Sequence, residues 1–431
     1  MEQAGSVKLN PLKIAGDAMI SVQDVRDTIL GCIPLPSMER VELFSSLGRI
    51  LAEDLVSPYD VPPYDNSAMD GYALRSSDLQ GTLPDNPAVL EVIEDLPAGY
   101  VSRHTVESGQ AIRIMTGAPI PAGCDAVVRV EDTMRGEGRQ VLVLKEVPPQ
   151  SYVRPSGEDV KQGDVILRKG QMLRPAEIGL LSSVGRSMVQ VFQQVRVAIF
   201  STGDELAEID EPVKAGRIFN ANDYSLAALT LESGAVPVRL GIARDRREDL
   251  ERKIVQGLRA DVLISSGGVS VGDYDLTGDM LRKRDAALQS WKVCMKPGKP
   301  LVFGNIDGIP IFALPGNPVS AMVSFEVFVR PALLKMMGHH RIYRAIVHAA
   351  LKEDLLKEDE RKHFVRVALR KEDDRVTASI TGRQGSNILR SLSKANGLAV
   401  IDEERMIVKA GETVPVMLLD DSLITSEERA F

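Results

Sequence analysis

Several stretches of this 431-residue chain gather hydroxyls, carboxylates and cations at spacings that suit an anionic ligand beside a hard metal ion. In Asp261-Val-Leu-Ile-Ser-Ser-Gly-Gly-Val-Ser-Val-Gly-Asp-Tyr-Asp275, a short apolar run, Val262 to Ile264, passes straight into Gly267 and Gly268. Amides without side chains can face an anion there, Ser265, Ser266 and Ser270 add hydroxyls, and Asp273, Asp275 and Asp279 offer oxygen ligands to a cation such as Mg²⁺. The spacing is neither G-x-G-x-x-G nor a Walker A loop, so a tight turn with solvated acids is the alternative. Ser201-Thr202-Gly203-Asp204-Glu205 repeats the theme after another apolar run, and Asp245 adds an acid. These too are solvated or capping acids unless their loops converge at one sheet edge.

The cations lie further on. In Trp291-Lys-Val-Cys-Met-Lys-Pro-Gly-Lys299, strand alternation puts Lys292, Cys294 and Lys296 on one face, with Lys299 beyond the turn. Two readings fit: a clamp for phosphate or another oxyanion, or an edge strand guarded by lysines. Leu314-Pro315-Gly316-Asn317-Pro318-Val319-Ser320 then opens a helix, with Asn317 as its cap and Pro318 at its first position, so its free amides form an anion site.

Positioning these groups is the task of alternating strands and helices from Val195 onward. Strands are expected at Val195–Phe200, Pro237–Gly241, Val262–Ser265, Trp291–Met295 and Ile311–Leu314, and helices at Asp223–Ser233, Arg246–Leu258, Leu276–Leu288 and Pro318–Met337. That order specifies βαβ units and a parallel sheet covered on both faces, with the loops named above at its carboxyl edge.

Upstream, 21–33 reads as an amphipathic helix capped by Ser21, and Val41 to Leu51 as a second helix. From Ser57 to Val147, short alternating runs among prolines and glycines describe a β-rich module; a polar connector, Pro148 to Gly163, and a short helix, Pro175–Val184, follow it. After His340 only alternating segments remain. The fold class is therefore multidomain α/β plus β. Its expected parts are a helical linker subdomain at 19–57 and 148–194, an inserted β-rich subdomain at 58–147, an α/β subdomain at 195–340 and a β subdomain at 341–431.

Composition narrows the partners. A hydrophobic fraction of 44% and a charged fraction of 26% are ordinary for a soluble chain, and no apolar run approaches a membrane span. Net charge of −8 argues against nucleic acid, whose binding rests on Lys and Arg neutralising phosphates. Cys32, Cys124 and Cys294 lie far apart, and Met1 to Gly16 has no signal-peptide pattern, so a reducing cytoplasm is expected. With five histidines in the chain and none in the polar loops 64–72 and 113–125, Ser-His-Asp and His-metal sites lack parts.

Six motifs in register resemble the molybdopterin molybdenumtransferase family, MoeA and the gephyrin E domain. They are Asp65-Asn-Ser-Ala-Met-Asp-Gly-Tyr72, Arg113-Ile-Met-Thr-Gly-Ala-Pro119, Ser201-Thr-Gly-Asp-Glu-Leu206, Ser265-Ser-Gly-Gly-Val-Ser-Val-Gly-Asp273, Lys296-Pro-Gly-Lys-Pro300 and Leu314-Pro-Gly-Asn-Pro-Val-Ser320. The resemblance implies an L-shaped homodimer whose cleft takes adenylylated molybdopterin and molybdate and, with Mg²⁺, yields AMP and molybdenum cofactor. It implies Glu205, Asp245 and Asp275 in the Mg²⁺ and nucleotide region, with Asp273 the alternative to Asp275. Asp70 and Thr116 would face the partner subunit, and Asp159 would share that cleft. Lys292 and Lys296 would hold phosphates, while Lys299, Ser320, Arg366 and Ser386 would form the molybdate pocket. A molybdopterin adenylyltransferase and apo molybdoenzymes are the implied partners. Two other functions remain open, adenylyl transfer one step earlier and a non-catalytic scaffold, and tungstate is an alternative oxyanion.

Overall fold

The computed structural model describes residues 19–212, 214–268, 289–372 and 375–423. The chain forms two compact units: one takes the described residues up to Glu39, Gly48–Ile50 and those from Val191 onward, the other Arg40–Leu47 and Leu51–Gln190.

In the first unit, strands Val236–Ala243, Arg196–Thr202, Val262–Ser266 and Ile309–Leu314 lie side by side and parallel. Alternation along Arg196–Thr202 sends Val197 and Ile199 into one apolar core and Ala198 and Phe200 into another, so the sheet is covered on both faces. Helices Ala221–Glu232 and Arg247–Gly257 are the crossovers expected from the sequence; the expected helix Leu276–Leu288 lies outside the described residues. Helix Val22–Cys32 adds Val22, Val25 and Ile29 to the first core, and Ser21 Oγ accepts the Asp24 amide at 3.1 Å as its cap.

The sheet departs from the all-parallel expectation at one edge. Strand Pro300–Ile306 runs antiparallel to Ile309–Leu314, joined by Asp307-Gly308 with φ of 53° and 86°. Both turn residues occupy the left-handed region, the geometry of an Asp-Gly hairpin, and this signal outweighs strand-helix alternation. Gln289–Lys292 then pairs antiparallel with Pro300–Phe303 as the edge strand. The expected strand Trp291–Met295 is interrupted because the Val293 amide bonds to Lys299 O at 2.7 Å and the Cys294 amide to Ile20 O at 2.7 Å. Met295–Lys296 resumes alongside another sheet, opposite Lys362 and His363.

The expected helix Pro318–Met337 begins at Pro318 and runs to Met336, but Phe325–Val329 is wound as a π segment. Pro331 lacks the amide that would bond to Val327, so the α ladder loosens one turn earlier. Beyond it, strands Lys362–Glu372, Arg375–Ile380, Ile346–Leu351, Thr413–Leu418 and Gly397–Ile401 pair in that order, and the last returns to the first. Five strands thus close a barrel around Ala349, Val367, Ala399 and Val416. A short helix, Leu389–Ser393, qualifies the expectation that no helix follows His340.

The second unit carries a six-stranded sheet ordered Ala126–Arg129, Gly71–Leu74, Gln110–Ile114, Ala88–Leu96, Gln140–Val143 and Thr133–Arg135, with apolar clusters on both faces. Helix Pro175–Ser183 opens with Glu177 reaching back to its start: the carboxylate accepts the Arg174 amide at 2.9 Å and the Arg174 guanidinium through Nε at 3.1 Å and Nη2 at 2.6 Å. The helix expected over Val41 to Leu51 does not form. Met38–Glu42 is a strand, and Ser46 Oγ bonds back to Leu43 O at 2.6 Å within the single 3₁₀ turn Phe44–Ser46. Serine's local bonding competes with helix propagation there.

Candidate functional site

At the carboxyl edge of the parallel strands, three loops come together as the topology requires: 201–206, Gly267-Gly268 and 315–318. Gly267 shows why its position must be glycine. Its φ is 94°, and a Cβ there would lie 2.7 Å from Thr202 Oγ1 and 2.8 Å from Thr202 O. Asn222, near the start of helix Ala221–Glu232, fastens two of these loops: its Nδ2 donates to Ser266 Oγ and to Gly316 O, both at 2.7 Å, and Ser266 Oγ donates to Pro315 O at 3.1 Å. Arg244 draws in the third, donating to Gly203 O at 3.2 Å, Asp204 O at 3.4 Å and Leu206 O at 2.8 Å. Asp204 and Asp245 accept each other's backbone amides at 3.4 and 3.3 Å, which leaves Glu205 and Asp245 exposed at the mouth.

These loops form one wall of a cleft of about 1470 Å³; the barrel supplies the other. Ser201, Thr202, Gly203, Glu205, Asp245, Ser266, Gly267, Gly268, Lys296, Lys299, Pro315, Gly316, Asn317, Ser320, Arg366 and Ser386 all line it. Ser201 Oγ is buried there and has no hydrogen-bond partner. The helix N-terminus is less open to an anion than expected, because the Val319 amide already donates to Ser386 O at 3.1 Å. Lys292 is half-buried on the edge strand and does not line the cleft. Burial nevertheless alternates as read: Trp291, Val293 and Met295 are buried, Lys292, Cys294 and Lys296 half-buried.

The barrel wall is dominated by one group. The Arg366 side chain is 1% exposed, with Nε donating to Ser391 Oγ at 3.1 Å and Nη2 to Gly385 O at 2.9 Å and Arg383 O at 3.4 Å. All these acceptors are neutral, and burial without a counter-ion pushes the guanidinium down to about 10. A buried cation of this kind at the edge of a cleft is prepared for an anion. Lys296 Nζ, by contrast, has partners, Glu358 Oε2 at 3.0 Å and Asp359 Oδ2 at 3.6 Å. Asp359 is also gripped by Arg361 through Nε at 3.0 Å and Nη2 at 2.7 Å, and by His363 Nε2 at 3.1 Å. The Arg361 hydrogen bonds, aided by His363, hold the Asp359 carboxyl well below the usual carboxylate range.

Asp70, Thr116 and Asp159 belong to the second unit. There the Thr116 amide and Oγ1 both donate to Asp70 Oδ1 at 2.7 Å, and these bonds lower the exposed Asp70 carboxyl. Asp159 is exposed on the connector, its amide bonded to Val61 O at 3.0 Å. Asp275, the third expected metal ligand, and its alternative Asp273 lie outside the described residues. Among the described residues no three His, Cys, Asp or Glu side chains are grouped to hold a metal ion. Glu205 and Asp245 still fit Mg²⁺, which keeps several waters and takes one or two carboxylates together with substrate phosphates.

Reading the sequence for motifs missed Arg244, Asn222, Asp359 and His363. A buried Arg or His inside an otherwise apolar run, as in His363-Phe-Val-Arg366, was the available signal for the barrel wall, since such residues are rarely buried without a reason.

Comparison with known proteins adds three family matches that together span most of the chain. Residues 20–185 match the MoeA N-terminal region (domain I and II), residues 198–335 a probable molybdopterin binding domain, and residues 348–419 the MoeA C-terminal region (domain IV). The chain is 36% identical to a molybdopterin molybdenumtransferase of Haemophilus influenzae over 92% of its own length and 98% of the relative's. It is 39% identical to molybdopterin molybdenumtransferase 2 of Mycobacterium tuberculosis over 92% and 99%. The crystal structure of a molybdopterin biosynthesis moea protein from Pyrococcus horikosii superposes with a TM-score of 0.81 at 32% identity, over 94% of this chain and 100% of that one.

Proposed function

The chain belongs to the molybdopterin molybdenumtransferase (MoeA) family, and from that premise we propose that it inserts molybdate into adenylylated molybdopterin, releasing AMP and molybdenum cofactor. The observation that carries this reading is the buried Arg366 guanidinium, which has only neutral acceptors and lines the same cleft as Ser320, Ser386 and Lys299. A doubly charged tetrahedral oxyanion such as molybdate supplies the charge this cation lacks and acceptors for the surrounding donors.

At the other side of the cleft, Glu205 and Asp245 would hold Mg²⁺, with Asp275 the proposed third ligand. The ion's chemistry there is to neutralise charge developing on the phosphates as their bond breaks. The glycine turn at Gly267-Gly268 admits phosphate oxygens close to the backbone, and Lys296 and Lys299 add charge. Asp70, Thr116 and Asp159 are proposed to complete the cleft from a second copy of the chain in a homodimer. Free cysteines support a cytoplasmic location, and no described helix is long and apolar enough to cross a membrane. A molybdopterin adenylyltransferase as donor and apo molybdoenzymes as acceptors are the proposed partners.

The test is to incubate the purified chain with adenylylated molybdopterin, molybdate and Mg²⁺, and to measure AMP and cofactor able to activate an apo molybdoenzyme. AMP release that depends on molybdate is expected; its absence overturns the reading, and ATP consumption with unmodified molybdopterin would indicate adenylyl transfer instead. Lys296→Ala should weaken binding of the phosphate-bearing substrate by about tenfold at most. A charge-assisted bond contributes ~1.5–3 kcal/mol, but Lys296 is partly exposed and must first leave Glu358. Equilibrium titration with the substrate measures it, and unchanged affinity would reduce Lys296 to a partner of Glu358.

A further inference from the structure

A second hollow lies at the other end of the parallel sheet from the cleft. It has a volume of about 500 Å³ and opens beside strand Val236–Ala243, where strand Arg196–Thr202 begins. Ala198 and Ala260 are buried there and too short to fill the space, and Val238, also at its lining, is left 40% exposed. Its polar groups are Gln256 and three arginines. No acid lines it, although the chain as a whole carries 60 acidic residues against 52 Lys and Arg.

Two of these cations are available to a ligand. Arg259 is exposed, and its guanidinium has no hydrogen-bond or ion-pair partner among the described residues. Arg196 is oriented rather than neutralised: its Nη2 donates to Arg259 O at 3.0 Å, and its Nε lies 3.5 Å from Asp261 Oδ2, an oxygen that already accepts the Arg196 amide at 2.7 Å. Arg239 is committed elsewhere, to Asp223 Oδ2 at 2.6 Å and the face of the Tyr224 ring.

The hollow also runs along a free strand edge. Among the described residues Val236–Ala243 pairs only with Arg196–Thr202, so it is the outermost strand of its sheet. The Val236 amide donates inward to Val195 O at 2.8 Å; alternation then turns the backbone groups of Pro237 and Arg239 outward, where Arg239 can pair with another extended chain. That open stretch is short. Pro237 brings no amide, the ladder shifts register between Arg239 and Gly241, and Lys253 Nζ covers Leu240 O. A second copy of this chain fits poorly, because pairing the edge with itself would set Arg196 and Arg259 against their own counterparts.

We propose that this groove docks an extended acidic peptide segment of another protein, with one apolar side chain over Ala198 and Ala260 and flanking Asp or Glu side chains against Arg196 and Arg259. Main-chain pairing at Arg239 gives affinity of any sequence, while the hollow and the two cations read the side chains. No residue of the groove lines the cleft, so docking leaves the reaction site open.

The experiment pans a phage library of short random peptides against the full-length wild-type chain, subtracts binders to Arg259→Glu, and titrates the synthetic consensus peptide. The consensus should carry one apolar residue between acids. Arg259→Ala should weaken it by roughly tenfold, the loss of one charge-assisted contact. Val238→Lys, which adds positive charge but removes the apolar contact, should weaken it as well, and amide exchange should slow at Arg239 when the peptide binds. A peptide with lysines for its acids should prefer Arg259→Glu to wild type. Both side chains are exposed, so the variants should melt with wild type; independently of any variant, wild-type affinity should fall as salt screens the charges. No consensus, a consensus without acids, salt-independent binding, unchanged affinity in Val238→Lys or protection confined to other segments overturns the proposal. Equal binding of acetyl-glutamate amide would make the groove a site for small carboxylates instead, and self-association lost in Arg259→Glu would assign the edge to a second copy.

Discussion

Arg366→Met should abolish molybdate-dependent turnover while leaving the chain about as stable as before. Two opposing terms decide this. The guanidinium is buried against neutral acceptors, and lowering its pKa to about 10 from an ordinary 12.5 corresponds to a cost on the order of 3 kcal/mol at neutral pH. Removing it relieves that cost but leaves Gly385 O and Arg383 O without a donor, at roughly 1–3 kcal/mol. The terms nearly cancel, so the melting temperature should move little. The anion loses its buried counter-charge outright: two charge-assisted bonds at ~1.5–3 kcal/mol each imply at least a hundredfold weaker molybdate binding.

Thermal shift measures both effects at once. Wild type should gain about 2.7 kcal/mol of stability at molybdate a hundred times its dissociation constant, and the variant no more than about 0.4 kcal/mol at that concentration. A variant that keeps its molybdate affinity within twofold would place the oxyanion elsewhere. The pH dependence has a definite sign. Because the folded-state pKa is depressed, the destabilisation from Arg366 is fully present below about 10 and is relieved as pH rises through 10 towards the unfolded value. Anion binding to Arg366 should fade over the same interval.

The second large effect comes from mixing inactive chains. Asp70→Ala and Glu205→Gln should each be inactive alone, yet a re-equilibrated equal mixture should recover about a quarter of wild-type activity. Asp70 is an exposed carboxylate oriented by two hydrogen bonds from Thr116, and Glu205 is an exposed carboxylate beside Gly203, so neither change removes a packed side chain and both variants should fold. If Asp70 of one chain completes the cleft that holds Glu205 of the other, a heterodimer has one doubly damaged cleft and one intact cleft. Random exchange makes roughly half the dimers mixed, each with one good site of two. Mass spectrometry of differently tagged chains confirms exchange. A confirmed mixture without activity would assign each cleft to a single chain.

Much of the site was legible because it depends on short-range physics. Ser21 ahead of an apolar stripe requires a helix start, Gly267 tolerates a backbone closed to other residues, and period-two burial from Trp291 to Lys296 survives even where strand pairing is interrupted. Parallel topology then carries Glu205, Asp245 and Gly267 to one edge, since successive βα turns of such a sheet share a side. The hairpin Pro300–Leu314 was also written locally, in Asp307-Gly308, but strand-helix alternation masked it.

Residue order thus fixed the kind of element along most stretches, Val41 to Leu51 excepted, and the edge at which the acids and glycines emerge. Which groups meet across that edge was decided by tertiary structure. Lys296 reaches Glu358 across 62 positions of chain, and Asn222 ties down Gly316 across 94. Arg366 is buried because Gln384, Gly385 and Ser391 fold over it from later in the barrel, not because of its neighbours in sequence. Periodicity, caps and turn residues act over a few positions, whereas burial, counter-charge and pKa depend on what packs opposite. The anion site existed in the sequence only as an arginine in an apolar strand, and became a buried cation with neutral partners when the barrel closed around it.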